Sequence, residues 1–348
     1  MVFKISDNRQ KGIRYGGTMK GKGNYGLIIV LFMFLIVSLI SCGGGGGSSS
    51  SSSTPPLPTY TQKFLYVANH DSGDVYAFSI ADDGTLAPVG DPITAGGFPE
   101  SVTADPLGRF VYVANWDGTI NAYTIETNGA LTDVAGSPFT AGSIPESVTV
   151  DPSGSFLYVA NRESHNVSAY TIGTNGALIP LAGSPFATEP LAYPETVTAD
   201  PLGRFAYVAN WFSGTISAYI IGADGALTPV TGSPFEAGSN PYSVTVDPSG
   251  SFVYVANYGD GIVASNVSAY SVGSDGALTP IAGSPFSAAT GANSVIVDPS
   301  GKFAYVANHD SGNVSAYSIG SNGALTPVAG SPFTAGTGPV SITTIGII

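Results

Sequence analysis

Residues 110–115 read Phe-Val-Tyr-Val-Ala-Asn, and the last four letters of this stretch occur six times along the chain. The copies begin at Tyr66, Tyr112, Tyr158, Tyr207, Tyr254 and Tyr305, with spacings of 46, 46, 49, 47 and 51 residues. A period of about 40–50 residues with strand-like units is typical of propeller blades. The many Gly, Pro and β-branched residues disfavour helical repeats of similar length. The sequence therefore predicts an all-β fold.

One repeat, residues 101–139, shows the predicted strands of a blade. Strands a, b, c and d are expected over 101–104, 110–114, 119–125 and 131–139. The a–b turn is Asp105-Pro106-Leu107-Gly108, in which Pro sets φ and Gly supplies a positive φ. Strand d ends in Gly-Ser-Pro-Phe, where a proline is tolerated because d is an outer edge.

The two ends of the repeat region predict how the ring closes. The first copy starts at Lys63-Phe64, which is a strand b, whereas residues 339–344 align with a strand a that has no blade after it. Pairing residues 340–344 with residues 64–68 would join two free edges. We therefore expect residues 61–348 to form a six-bladed β-propeller of four-stranded antiparallel blades, closed by the C-terminal strand joining the N-terminal blade.

The N-terminal segment has the features of an export signal. Lys20 and Lys22 precede an apolar run, residues 27–40, that is shorter than the ~20 residues of a spanning helix. The run ends in Leu39-Ile40-Ser41-Cys42, which resembles a bacterial lipobox. We expect residues 1–42 to be a lipoprotein signal peptide, with Met19 as an alternative start and lipidation at Cys42, the only cysteine. An uncleaved membrane anchor is the alternative.

Composition separates the following segments. Residues 43–60 are Gly-, Ser- and Pro-rich and are predicted to be a tether between anchor and propeller. Residues 43–348 contain 5 Lys/Arg and 23 Asp/Glu, which argues against nucleic acid as a partner because phosphate binding needs clustered basic residues. We expect a monomer in the bacterial cell envelope, held through its lipid anchor to a membrane facing the periplasm or the exterior, with a protein or small-molecule ligand.

The connections between strands sort residues onto two faces. The a–b and c–d turns are nearly constant, and their carboxylates are explained by turn formation. The d–a and b–c connections vary and share the other face, here called the mouth face. Repeat scaffolds carry their sites on such variable loops. The predicted ligand-binding residues on this face are Glu100, Glu146, Glu195, Tyr242, Asn293, Trp116, Trp211, Arg162, His165, His70 and His309.

Three glutamates suggest a cation site. Glu100, Glu146 and Glu195 occupy the same position in consecutive repeats and would form one acidic arc at the channel mouth. Carboxylate and amide oxygens suit a divalent cation such as calcium, and Asn293 could add a ligand. The alternative is that they are solvated side chains inherited by duplication. Trp116 and Trp211, the only tryptophans, are candidate ligand platforms, or they pack over neighbouring loops.

The three histidines are candidates for acid–base chemistry. His70 and His309 lie in matching Asn-His-Asp-Ser-Gly loops, on blades that ring closure would make adjacent. His165, with Arg162 and Glu163, lies in the loop that most resembles an acid–base cluster. A polar surface role is the alternative for each. No catalytic triad, phosphate-binding loop or zinc spacing is present in the sequence.

The motifs Tyr-Val-Ala-Asn, Val-x-x-Asp-Pro-x-Gly-x-Phe and Gly-Ala-Leu-Thr-Pro resemble those of the YVTN-repeat and 6-phosphogluconolactonase-like propeller family, over residues 62–348. The resemblance implies a propeller fold and, in some members, lactonase activity. Family members usually have seven blades. Its lactonases carry a histidine at the start of strand a, whereas these positions read Glu100, Glu146, Glu195, Tyr242, Asn293 and Val340. The family's catalytic residues are therefore not transferred.

Two functions remain open from the sequence. The first is a non-catalytic, lipid-anchored scaffold that binds a ligand or a protein through the mouth face. The second is a lactonase-like hydrolase, assisted by a metal held by the three glutamates.

Overall fold

The computed structural model describes residues 30–31, 63–81 and 83–342, and these residues form an all-β propeller. Within this part of the chain the strands form six sheets, one for each Tyr-Val-Ala-Asn copy. Each sheet runs outward from a strand a nearest the channel, through strands b and c, to two short outer strands that both pair with strand c.

The strand bounds repeat closely from sheet to sheet. The strands a are β1 (Val30–Leu31), β6 (Pro99–Ala104), β11 (Pro145–Val150), β16 (Pro194–Ala199), β21 (Pro241–Val246) and β26 (Ala292–Val297). The strands b are β2 (Lys63–Asn69), β7 (Phe110–Asn115), β12 (Phe156–Asn161), β17 (Phe205–Asn210), β22 (Phe252–Asn257) and β27 (Phe303–Asn308). The strands c are β3 (Asp74–Ile80), β8 (Thr119–Ile125), β13 (Asn166–Ile172), β18 (Thr215–Ile221), β23 (Asn266–Val272) and β28 (Asn313–Ile319).

The outer edge of each sheet is divided into two pieces. The first pieces are β4 (Leu86–Pro88), β9 (Leu131–Asp133), β14 (Leu178–Pro180), β19 (Leu227–Pro229), β24 (Leu278–Pro280) and β29 (Leu325–Pro327). The second pieces are β5 (Ile93–Thr94), β10 (Phe139–Thr140), β15 (Phe186–Ala187), β20 (Phe235–Glu236), β25 (Phe286–Ser287) and β30 (Phe333–Thr334).

This division corrects the predicted continuous strand d. Between β14 and β15 the Gly-Ser-Pro segment leaves the ladder, and Ser184 Oγ accepts a hydrogen bond from the Ala169 amide of strand c at 2.9 Å. Ser137, Ser233, Ser284 and Ser331 do the same in their own sheets. The serine side chain thus satisfies a buried backbone donor that would otherwise lack a partner. The serine of the Gly-Ser-Pro-Phe motif therefore links the outer edge to strand c through its side chain, at the point where the outer strand is interrupted.

The Tyr-Val-Ala-Asn motif joins neighbouring blades. Tyr158 is fully buried, and its hydroxyl donates to the Gly225 carbonyl in the c–d turn of the next sheet at 2.9 Å. Tyr66, Tyr112, Tyr207 and Tyr254 make the equivalent bond. The apolar side chains pack in the same direction; for example, Tyr112 and Ile120 share a core with Leu157 and Val159 of the following sheet. The repeated motif therefore connects neighbouring blades.

The predicted closure is not found among the described residues. On its inner side β2 pairs with β1, with Val30 opposite Tyr66 and Leu31 opposite Leu65. Because β1 occupies this edge, residues 340–342 do not pair with β2, and residues 339–342 are in no strand. Residues 343–348 are outside the described residues. The Ile342 amide nevertheless donates to Ser294 Oγ at 3.3 Å, a contact like the one from Val148 to Ser101 between consecutive strands a.

Other predictions on the N-terminal segment are not tested. The lipidation site Cys42 and the tether at 43–60 lie outside the described residues, as does the predicted signal peptide except for Val30–Leu31. A search of the described residues finds no helix with the length and apolar character needed to span a membrane.

Candidate functional site

A β-bulge in each complete strand a aims one side chain at the channel. In β11 the ladder with β12 shifts register between Pro145 and Ser147, so Glu146 is the extra residue. The same shift occurs in β6, β16, β21 and β26. A bulge re-aims its side chain away from the ordinary alternation of a strand. The residues at these five positions, here called the bulge ring, are Glu100, Glu146, Glu195, Tyr242 and Asn293.

A second backbone feature fixes the b–c loops above the bulge ring. The residue before each of the strands β6, β11, β16, β21 and β26 has a left-handed conformation, with φ of 53° at Ile144 and 51° at Tyr193. The carbonyl of Ile144 accepts a hydrogen bond from the Arg162 amide at 2.8 Å, and that of Tyr193 accepts one from the Trp211 amide at 2.9 Å. Left-handed non-glycine residues are strained and cluster at functional sites. These turns therefore hold in place the variable residue that follows the Tyr-Val-Ala-Asn motif, as they do for Arg162 and Trp211.

Residues from both features line a cavity of about 990 Å³ on the mouth face. A cavity of this size can hold a small organic molecule. Eight of the eleven predicted ligand-binding residues line it: His70, Glu100, Trp116, Glu146, Arg162, Glu195, Trp211 and Tyr242. The sorting of variable loops onto one face therefore leads to one shared cavity.

Arg162 lies between two of the glutamates. Its Nε is 2.9 Å from Glu195 Oε1 and its Nη1 is 3.8 Å from Glu146 Oε1. Nε makes no hydrogen bond of acceptable angle, so the contact with Glu195 is an ion pair rather than a directed bond. Burial lowers the pKa of Arg162, but Glu195 and Glu146 more than offset this effect and raise it above its usual value. The guanidinium is a fixed positive charge in this wall.

Aromatic rings enclose the same guanidinium. Its central carbon lies 5.7 Å from the Tyr193 ring centre and 5.5 Å from the Trp211 ring centre. Both distances are within the range of cation–π attraction. Phe212 packs against Tyr193 at 5.6 Å between ring centres. Trp211 thus packs over Arg162 of a neighbouring b–c loop, as in one of the two alternatives from the sequence, and it also lines the cavity.

The third glutamate is paired with a histidine. His70 Nε2 lies 3.2 Å from Glu100 Oε1, and His70 Nδ1 lies 2.7 Å from Asp71 Oδ1. His70 and Glu100 are 8% and 7% exposed, so the pair is largely shielded from water. Each ring nitrogen of His70 faces a carboxylate oxygen, so this arrangement allows a proton to pass between the imidazole and a carboxylate. The sequence did not predict this pairing, because the two residues lie 30 positions apart.

The three glutamates face basic side chains of the chain itself. Two of them flank Arg162 and the third faces His70. A search of the described residues finds no group of three or more His, Cys, Asp or Glu side chains arranged to hold a metal ion. The guanidinium of Arg162 lies between Glu146 and Glu195, where a calcium ion was expected. It reaches them from the b–c loop that follows Asn161. Metal binding by Glu100, Glu146 and Glu195 stays a prediction, and Arg162 is a cation that would compete for two of these carboxylates.

The remaining predicted residues lie elsewhere on the mouth face. The His165 ring packs edge-on against Tyr193 at 4.7 Å, and its Nδ1 accepts a hydrogen bond from the Tyr193 amide at 3.3 Å. It therefore supports the loop. His309 Nδ1 lies 2.7 Å from Asp310 Oδ1. Asn293 is 3% exposed, and its Oδ1 has no hydrogen-bond partner among the described residues.

Several cavity residues were not predicted. Tyr193 and Asn240 lie at the strained position before strand a, and Tyr258 and Phe212 lie in b–c loops. The extended loop at 259–265 also forms part of the wall, and the Tyr258 hydroxyl donates to Asp310 Oδ1 at 2.7 Å. The extra length of this loop relative to the other repeats was the available signal.

Comparisons with known proteins agree with this fold. The sequence matches the family described as Lactonase, 7-bladed beta-propeller, over residues 49–136, 119–193, 184–266 and 264–342. No curated protein sequence matches the chain.

Similar solved structures include a Bacteroides uniformis protein provisionally assigned as a 6-phosphogluconolactonase, at 19% identity and a TM-score of 0.71, covering 80% of this chain and 84% of that one. A Pseudomonas aeruginosa periplasmic gluconolactonase has 17% identity and a TM-score of 0.68, with 81% and 84% covered. A Lactobacillus plantarum protein has 22% identity and a TM-score of 0.66, with 80% and 85% covered. These identities show a shared fold, and the family match shows that the chain belongs to the lactonase-type seven-bladed β-propeller family.

Proposed function

We propose that the protein is a lactonase-type hydrolase whose active site is the mouth-face cavity. The observation that carries the proposal is the shielded contact of 3.2 Å between His70 Nε2 and Glu100 Oε1 in the wall of that cavity. Membership of a lactonase-type family supports the reaction class. The histidine found at the start of strand a in the family's lactonases is absent here, and His70 brings an imidazole to the same rim from a b–c loop.

The chemistry assigns a role to each group. Glu100 takes a proton from the attacking water, whose oxygen adds to the ester carbonyl. Arg162, in the same wall, stabilises the negative charge that develops on the carbonyl oxygen. His70 gives its proton to the ring oxygen when the ring C–O bond breaks, and the product is a hydroxy acid. Transfer of the proton from Glu100 to His70 across their contact restores both groups.

Acid release from a panel of γ- and δ-lactones, including D-glucono-1,5-lactone, tests this proposal with the purified full-length chain. We expect turnover above the buffer rate, and a loss of about 100-fold or more in kcat/KM for Glu100→Gln, as is typical for removal of a general base. Glu126→Gln is the matched control, since Glu126 is exposed in a c–d turn on the opposite face. An absence of turnover across the panel would contradict the proposal.

A second candidate is a non-catalytic module that binds another protein. It is favoured by large apolar side chains that remain exposed on the mouth face: Phe98 at 43%, Leu191 at 57%, Phe212 at 62% and Ile262 at 95%. Exposed apolar groups that cluster on one face are typical of interaction sites. If the lactone panel shows no turnover, pull-down with wild-type protein and an Ile262→Asp variant distinguishes this candidate.

The cellular location of the protein and the closure of its propeller ring are linked through the N-terminal segment. We propose that the chain is exported, cleaved before Cys42, lipidated there and held in the bacterial cell envelope by the tether at 43–60. Cleavage would remove Val30–Leu31, and the inner edge of β2 would become available to residues 340–344 as the closing strand of a six-bladed ring. Labelling with a radioactive fatty acid tests lipidation, and it should be lost in Cys42→Ala.

A further inference from the structure

The charges that line the cavity are strongly unbalanced. Six lining residues carry carboxylates, namely Glu100, Glu146, Glu163, Glu195, Asp260 and Asp310. One lining residue, Arg162, carries a permanent positive charge, and it is already engaged by Glu195 and Glu146. The potential in the cavity is therefore negative, and an anionic ligand such as a sugar phosphate would be repelled. The wall favours a ligand that is neutral or positively charged.

The aromatic rings that line the cavity independently favour a positively charged ligand. Trp116, Tyr193, Trp211, Phe212, Tyr242 and Tyr258 contribute rings to the cavity. Two of these rings already lie within 6 Å of a guanidinium carbon, at 5.7 Å for Tyr193 and 5.5 Å for Trp211. A cation bound beside such rings gains cation–π attraction, and a sugar ring packs against them through its C–H groups.

Three residues of the bulge ring, Glu100, Glu146 and Glu195, present carboxylate oxygens to the cavity. Ionised carboxylates accept hydrogen bonds from N–H and O–H groups and donate none. A ligand that contacts them therefore supplies N–H or O–H groups.

We infer that the cavity binds a protonated amine carried on a polyhydroxylated ring, the chemistry of an amino sugar or an amino lactone. The ammonium group binds among the carboxylates of the bulge ring, the hydroxyl groups donate to the remaining acceptors, and the ring lies on Trp116 or Trp211. This inference rests on the proposed function only in taking the same cavity as the binding site, and it names the substrate class for that site.

The test is a matched pair of ligands on the wild-type full-length chain. Glucosamine and N-acetylglucosamine share their hydroxyl groups, but only glucosamine carries a positive charge. Calorimetry at neutral pH and low salt is expected to show glucosamine binding at least about tenfold more tightly, with the difference shrinking as salt screens the charges. Glucosamine 6-phosphate is expected to bind more weakly than glucosamine. Equal affinity for the pair, or no binding of glucosamine at millimolar concentration, would overturn the inference.

Two variants locate the site. Glu146→Gln is expected to reduce the preference for glucosamine over N-acetylglucosamine severalfold, while Glu126→Gln on the opposite face leaves it unchanged. A preference that survives in Glu146→Gln, Glu195→Gln and Glu100→Gln alike would also overturn the inference. The outcome is separable from lactone hydrolysis, because an enzyme that turns over neutral lactones without preferring glucosamine refutes only the ligand class. Selective amine binding without turnover refutes only the reaction.

Discussion

Strand β11 has a buried carboxylate at each end, and the two differ in what surrounds them. Asp151, at the turn end, is 4% exposed and accepts hydrogen bonds from the amides of Ser153, Ser155 and Phe156 and from the Ser153 hydroxyl. Glu146, at the mouth end, is 8% exposed and lies near Arg162 of another loop. Burial of an acid is therefore no sign of function here. The difference lies in whether the partners are local backbone groups or side chains from distant positions.

The largest expected effect comes from removing the cation at the mouth end. Arg162→Met leaves Glu146 and Glu195 facing each other in a partly buried wall, and we expect the free energy of unfolding to fall by about 3 kcal/mol. Urea denaturation measures this change.

The matched control is the triple variant with Glu146→Gln and Glu195→Gln added, which should recover most of the lost stability because no buried charge is then left unpaired. If the triple variant is no more stable than Arg162→Met, the loss comes from packing against Trp211 and Tyr193, and the electrostatic account of the mouth end is wrong.

A substitution at the turn end should lower the free energy of unfolding by a smaller amount and leave ligand affinity unchanged. Asp151→Ala removes an acceptor of three amide hydrogen bonds, and we expect a loss of about 2 kcal/mol in unfolding free energy, at the upper end for a capping residue. Thermal unfolding and calorimetry on the same sample check both halves of the expectation. A change in ligand affinity at temperatures well below Tm would show that the two ends of the blade are coupled.

The smallest effect concerns acid stability of the turns. Burial raises the pKa of Asp298, but its hydrogen bonds from Ser300, Phe303 and Lys302 more than offset this and hold it below the usual value. The stability from this group is complete above the unfolded pKa of about 3.9 and is lost as pH falls through the lower folded value. Asp298 is largely solvent-screened, so the contribution is expected to be below about 1 kcal/mol. Unfolding curves between neutral and acid pH should converge for wild type and Asp298→Asn as pH falls; parallel curves would contradict the assignment.

Much of the fold was predictable because it depends on local periodicity. Strand c at 119–125 has the predicted bounds, and the a–b turn carboxylates have the predicted structural role, since both follow from residues a few positions apart. The division of the outer strand was missed, because the bond from Ala169 to Ser184 joins residues 15 positions apart. The closing strand was also not found as predicted, since β1 competes for the same edge of β2.

The candidate site was predictable only as a set of residues on one face. The repeat placed Glu100, Glu146, Glu195, Trp116 and Trp211 on the mouth face because equivalent positions in successive blades face the same way. The sequence could not reveal the β-bulge that turns Glu146 inward, because a register shift is a property of two paired strands. It also could not pair His70 with Glu100 or Arg162 with Glu195, since each pair joins different blades.

The amino-acid sequence by itself determined the number of repeats, the strand order within each and the constancy of the turn face. Those properties follow from turn chemistry and alternation, which act over a few residues. The tertiary structure alone decided that Arg162 lies between two glutamates and that a histidine faces the third. Contacts between blades join residues that are far apart in the sequence, and they depend on how neighbouring sheets are oriented. A local sequence pattern does not specify that orientation.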